Sequence, residues 1–130
     1  VKRLFVLIIP LIFSCSHTES FWPIDVKEFN EKIAGRTDIK TSEELIWLYD
    51  EYPQSQEGFR KRSVQTVAVN HEEYKITLIQ EGLADDSMFG VKIVMTAKQT
   101  GTVWAVTEIK ENWRCRKGRG QRNWGIEKCN

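Results

Sequence analysis

The chain has 130 residues and 19 Lys and Arg against 18 Asp and Glu, a formal net charge of +1. That length suits a single domain with one modest core, and so even a charge balance supplies no global field that would steer the protein to nucleic acid. Three cysteines and two histidines, scattered along the chain, are a poor basis for a closed zinc site, which takes four such ligands, and no other metal or cofactor is indicated.

Taken in chain order, Lys2-Arg3 stand before the apolar run Leu4 to Phe13 and the small residue Ser14. A basic start, a short apolar stretch and a small residue ahead of a cleavage point describe a targeting segment over 1–14, outside the fold. The run is shorter than the 20 or so residues of a membrane-spanning helix. Ile12-Phe13-Ser14-Cys15 resembles the lipobox of bacterial lipoproteins. The resemblance implies that Cys15 takes a diacylglyceryl thioether, becomes the N-terminus and holds the protein to a membrane through its acyl chains, palmitate among them. Ser16 in place of Asp resembles outer-membrane sorting where the organism has two membranes. Loss of Lys2 and Arg3 takes the formal net charge to −1. Residues 15–24 then read as the lipidated cysteine and a tether, and 25–130 as one domain.

Asp25 with Glu28 has the spacing of a capping box, and Val26, Phe29 and Ile33 follow on one helical face before Gly35. Thr41 with Glu44 repeats the signal, with Leu45, Leu48, Tyr49 and Tyr52 on one face and Pro53 as the stop. At its far end Asp50 and Glu51 oppose the helix dipole and read as a solvated terminus. From Ser63 the apolar period becomes two. Ser63–Asn70 and Tyr74–Gln80 flank a turn at Asn70-His71-Glu72-Glu73, and Val91–Lys98 and Thr102–Trp113 flank Gln99-Thr100-Gly101. Helices followed by strands predict an α+β domain: one or two N-terminal helices on a four-stranded antiparallel meander.

From Lys110 onward seven basic residues (Lys110, Arg114, Arg116, Lys117, Arg119, Arg122, Lys128) face only Glu111 and Glu127. With Cys15 reserved for lipid, an exported chain meeting an oxidising compartment is expected to join Cys115 to Cys129 and so close a C-terminal loop. Asp85-Asp86-Ser87, Trp113-Arg114-Cys115, Gly118-Arg119-Gly120, Trp124 and Cys129 resemble a pattern in small exported bacterial proteins of undetermined function. It covers residues 82–129 and implies no activity. Gln121 stands where that pattern has His, which takes the one acid–base candidate out of the loop.

The residue types of the loop suit anions. Arg116, Lys117, Arg119 and Arg122 offer guanidinium and ammonium donors, and Trp113 and Trp124 are suited to stacking or to a headgroup boundary. For an exported, anchored protein the matching partners are anionic lipid, lipopolysaccharide or a cell-wall polymer, with an unspecified protein partner as a further class and nucleic acid disfavoured by compartment. Asp85 and Asp86 are too few oxygens for calcium and read as turn formers, one of them paired with Arg119, which is flanked by glycines. No Gly-x-Ser-x-Gly surrounds Ser63 or Ser87, and His71 is alone in a turn, so no catalytic residues are assigned. The expectation is a lipid-anchored, extracytoplasmic envelope protein and a non-enzymatic binding or structural module. An inhibitor of an exported hydrolase is the alternative, and a hydrolase the less favoured one.

Overall fold

A computed structural model describes residues 18–51 and 61–130. Its elements are β1 (Trp22–Ile24), α1 (Lys27–Ile33), α2 (Ser42–Tyr49), β2 (Lys61–Ala68), β3 (Glu73–Glu81), β4 (Met88–Thr100) and β5 (Val103–Cys115). The strands form one antiparallel sheet in the order β1-β5-β4-β3-β2. The α+β class and the meander β2 to β5 are as read from the sequence, but the sheet has five strands instead of four. The extra strand is the end of the stretch read as a tether: Trp22, Pro23 and Ile24 pair with Glu111, Lys110 and Ile109 at the outer edge of β5. Pro23 is tolerated because an edge strand has one side free of the ladder.

Local chemistry sets the element ends. At α2 the Thr41 side chain accepts from the Glu44 amide, and the Glu44 carboxylate accepts from the Lys40 amide (3.0 Å), a capping box moved one residue outward. The first helix has no such cap. Asp25 instead accepts from the Lys27 amide (2.9 Å), and the helix begins at Lys27 with Val26 as its cap, one residue later than the Asp25–Glu28 capping-box spacing suggests. Helix α2 stops at Tyr49 with Asp50 as its cap; Tyr52 and Pro53 lie outside the described residues. Between β2 and β3, the Asn70 carboxamide oxygen accepts from the amides of Glu72 and Glu73. Between β4 and β5, Thr100 pairs with Val103, leaving a two-residue loop with Gly101 at φ 62°. A positive φ at the first loop position alone matches a type II′ turn.

Both helices lie on one face of the sheet. Phe29, Ile33, Ile39, Leu45 and Ile46 pack on Ile76, Leu78, Ile93, Met95, Ala97, Trp104, Val106 and Ile109. Strand β5 keeps this face through an irregularity: Thr96 pairs with Glu108 and Ala97 with Val106, so Thr107 is an extra residue. Trp104 and Val106 before the bulge and Ile109 after it therefore share one face, and the same phase carries Glu111 and Trp113 onto that side beyond the core. Asn112 and Arg114 take the opposite side.

The end of α2 is not merely solvated. Asp50 accepts from Arg62 and from the Gln80 amide nitrogen (2.6 Å), and Arg62 also lies over the Trp47 ring at 4.8 Å. Glu51 pairs with Lys32 of α1. These contacts tie both helices and the β2–β3 hairpin together.

Candidate functional site

The C-terminal segment folds back on the end of β5. Cys115 and Cys129 are disulfide-bonded, as expected, with Cα atoms 5.5 Å apart. Between the closed loop and the end of β5, Gly125 and Trp113 exchange two backbone hydrogen bonds of 2.9 Å, and the Cys115 amide donates to the Gln121 carbonyl. Gln121 organises the interior. Its amide nitrogen donates to the Trp113 carbonyl (3.1 Å), and its oxygen accepts from the Glu127 amide (3.2 Å). A Cβ on Gly125 would sit 2.8 Å from that oxygen, so glycine there lets the side chain pass beneath the backbone.

The expected pairing of Arg119 with Asp85 or Asp86 is not what the geometry gives. Arg116 makes the link: its guanidinium donates to the carbonyls of Leu83 (2.6 Å) and Asp85 (2.7 Å), and its amide donates to the Ser87 carbonyl. The Asp85 carboxylate is occupied locally, accepting from the Ser87 and Met88 amides; these bonds, that to Met88 foremost, hold it below the usual carboxylate range. Arg119 reaches only the Asn130 carbonyl, at 3.5 Å. A guanidinium with two carbonyl acceptors in reach is satisfied without an acid, and position 116, next to the cystine, lies nearer to the 83–87 turn.

On the sheet face away from the helices, cations and rings alternate. Lys92 lies 4.7 Å from the Trp124 ring and Arg114 5.1 Å from it. Arg114 is also 4.7 Å from Phe89, which in turn has Arg116 at 5.7 Å. Arg114 pairs with Glu81 (2.6 Å) and Lys92 with Glu19 (2.6 Å). Trp124 rests on Gly90, where a Cβ would approach the ring to 3.2 Å and the Gln80 carbonyl to 2.9 Å. Burial opposes the charge of Glu19, but the Lys92 ammonium and the Asn112 amide outweigh it and hold that carboxyl below its ordinary value. Thr18, Glu19, Arg114, Arg122, Asn123 and Trp124 enclose a polar cleft of ≈ 390 Å³ on this side.

Lys117, Arg119, Arg122 and Lys128 are exposed and form no ion pair with the described residues. Of the six residues singled out for anion binding, Lys117, Arg119 and Arg122 thus present open charge. Arg116 is consumed in the turn. Trp124 carries two cations, and Trp113 donates its indole N–H to the Glu127 carbonyl (2.8 Å).

A larger, more apolar cleft of ≈ 540 Å³ opens on the helix side, past the end of the core, between Trp22, Met88, Glu111, Trp113, Ile126 and the cystine. It escaped the sequence reading because Glu111 is assigned to this side only once the bulge at Thr107 is known. Burial raises the Glu111 carboxyl above its ordinary value. No group of three metal-ligating side chains occurs among the described residues, and no helix among them is long and apolar enough to cross a membrane. Cys15 lies outside the described residues. Comparison with protein families, with curated proteins and with solved structures finds no match for the chain.

Proposed function

We propose that the protein is a lipid-anchored, extracytoplasmic envelope module, without enzymatic activity, that holds its disulfide-closed basic loop against anionic groups of the envelope. The observation that carries this reading is the placement of the polar cleft. Thr18 lines it together with Arg114, Arg122 and Trp124, and Thr18 is three residues from Cys15, a reach of about 10 Å at full extension. A lipid on Cys15 would keep this cleft and the open charges of the loop at the headgroup level, where each Lys or Arg contributes about 1 kcal/mol on an anionic surface. The segment 116–128 is tied back to β5 through Trp113, Gly125 and Gln121. That favours a surface contact over the projecting loop an inhibitor of a hydrolase would insert.

Two measurements test the reading. Cys15→Ala is expected to abolish incorporation of an alkynyl fatty acid, and equal labelling of the variant removes the lipid anchor. Replacing Lys117, Arg119 and Arg122 together by Gln should weaken binding to phosphatidylglycerol vesicles about 100-fold at low salt, from the same contribution per residue. Added salt should weaken the parent protein in the same direction. Equal binding of parent and variant, or no preference over phosphatidylcholine, overturns the anion reading.

A further inference from the structure

The apolar cleft on the helix side is separate from the basic one, because Glu111 and Trp113 point to one face of β5 and Asn112 and Arg114 to the other. Its volume of ≈ 540 Å³ is in the range of small-molecule sites. Three features of its lining are chemically specific. Trp22, directly opposite Glu111 in the β1–β5 register, is 57% exposed, a large ring left at the mouth. Trp113, two residues along the same face, is fixed in orientation by its bond to the Glu127 carbonyl. Between them the Glu111 carboxylate has no hydrogen-bond or ion-pair partner recorded among the described residues.

Two other charged groups line the cleft. The Asp85 carboxylate is taken up by the amides of Ser87 and Met88, and Lys128 is exposed and forms no ion pair with Glu111. A carboxylate in an apolar recess costs desolvation energy unless a cation accompanies it, and tryptophan faces attract cations through their quadrupole. We infer that the cleft formed by Trp22, Glu111, Trp113, Met88 and Ile126 binds an organic ammonium group carried on an apolar stem. The ammonium sits between the two indoles and the carboxylate, and the stem lies along Met88 and Ile126. This site does not depend on the anion-binding reading, since it uses the other face of the sheet and the opposite charge.

The test uses three probes with one aryl stem, 2-phenylethylammonium, 2-phenylethanol and 3-phenylpropionate, titrated into the purified full chain while the indole N–H signals of Trp22 and Trp113 are followed by NMR. The cation is expected to shift both signals and to bind about tenfold more tightly than the alcohol or the carboxylate, the size of a partly desolvated cation–π contact with a charge partner. Glu111→Gln should reduce the cation's advantage over the alcohol about threefold, leaving the share contributed by the two indoles, while the protein stays folded, because the change removes a poorly solvated charge. Trp22→Ala at the exposed edge should weaken the cation by a similar factor and serves as the second test should the first variant fail to fold. Equal binding of cation and alcohol by the parent chain, preference for the carboxylate, no shift at Trp22 and Trp113, or an unchanged preference in either variant overturns the proposal.

Discussion

The two ends of the sheet are built by different means. Under the helices, β3, β4 and the middle of β5 bury Ile76, Leu78, Ile93, Met95 and Ile109 against Phe29, Ile33, Leu45 and Ile46, and removal of apolar surface from water is the main source of stability. Beyond Ile109, β5 adds no residue to this cluster. There order comes from a cystine, from Gln121 and Arg116 reaching backbone groups, and from cations lying on Trp124 and Phe89. The first region has little polar chemistry to offer a ligand. The second holds part-buried charges, Lys92 and Arg114 in ion pairs and Glu111 without one, and clefts of opposite character open on its two faces.

That contrast can be tested in order of expected effect. Leu45→Ala or Ile46→Ala, at fully buried positions, should cost about 2–5 kcal/mol and lower protection of the whole sheet in hydrogen exchange. Replacing Cys115 and Cys129 together by Ser removes a loop-closure contribution of about 3 kcal/mol. Exchange should quicken in 116–130 and at the end of β5 while the β3–β4 ladder stays protected. If the whole sheet loosens equally, the two regions are one cooperative unit and the comparison fails.

Arg116→Gln leaves two carbonyls without their charged donor and should cost about 1.5–3 kcal/mol, whereas Arg119→Gln should stay within about 0.5 kcal/mol. Urea melts of the pair decide whether position 116 or 119 holds the 83–87 turn. The smallest effect has the opposite sign. Because burial raises the Glu111 carboxyl, the folded state binds its proton more tightly than the unfolded state does. Stability from this group is present below the unfolded pKa and declines as pH rises through the folded one. Glu111→Gln should therefore flatten the decline that sets in above the ordinary carboxylate value and leave the domain at least as stable at neutral pH. A variant less stable than the parent at pH 7 contradicts this.

Much of the helix-covered region was legible in the sequence, because its signals are local and repeated. The Thr41–Glu44 cap, the period of two over 63–70, 74–80, 91–98 and 102–113, and the glycine in the turn between the last two strands each reflect a short-range rule. The Cys115–Cys129 link was legible by elimination among three cysteines. What escaped depends on distance. A three-residue strand is too short to have a period, so Trp22–Ile24 merged with the polar residues before it. The ties of Asp50 to Arg62 and Gln80 join positions far apart in the chain. Glu111 was not singled out from the sequence, because the bulge at Thr107, which sets its phase, leaves no mark in the residue pattern. Arg119 between two glycines attracted the turn contact that Arg116 makes, since conformational freedom is visible in a sequence and proximity is not.

The order of strands also has a consequence for assembly. The β4–β5 hairpin needs only a two-residue loop and β2–β3 a short one, so both close among near neighbours, where the entropy lost on closure is least. Strand β1 has no such neighbour: Trp22 meets Glu111, near the other end of the described chain. Under the export proposed for this protein, with the N-terminus leading, the stretch that emerges first pairs only after β5 has followed. Until β5 is in place, the outer edge on which β1 lies does not exist, so the wall that Trp22 contributes to the apolar cleft cannot form before β5 does.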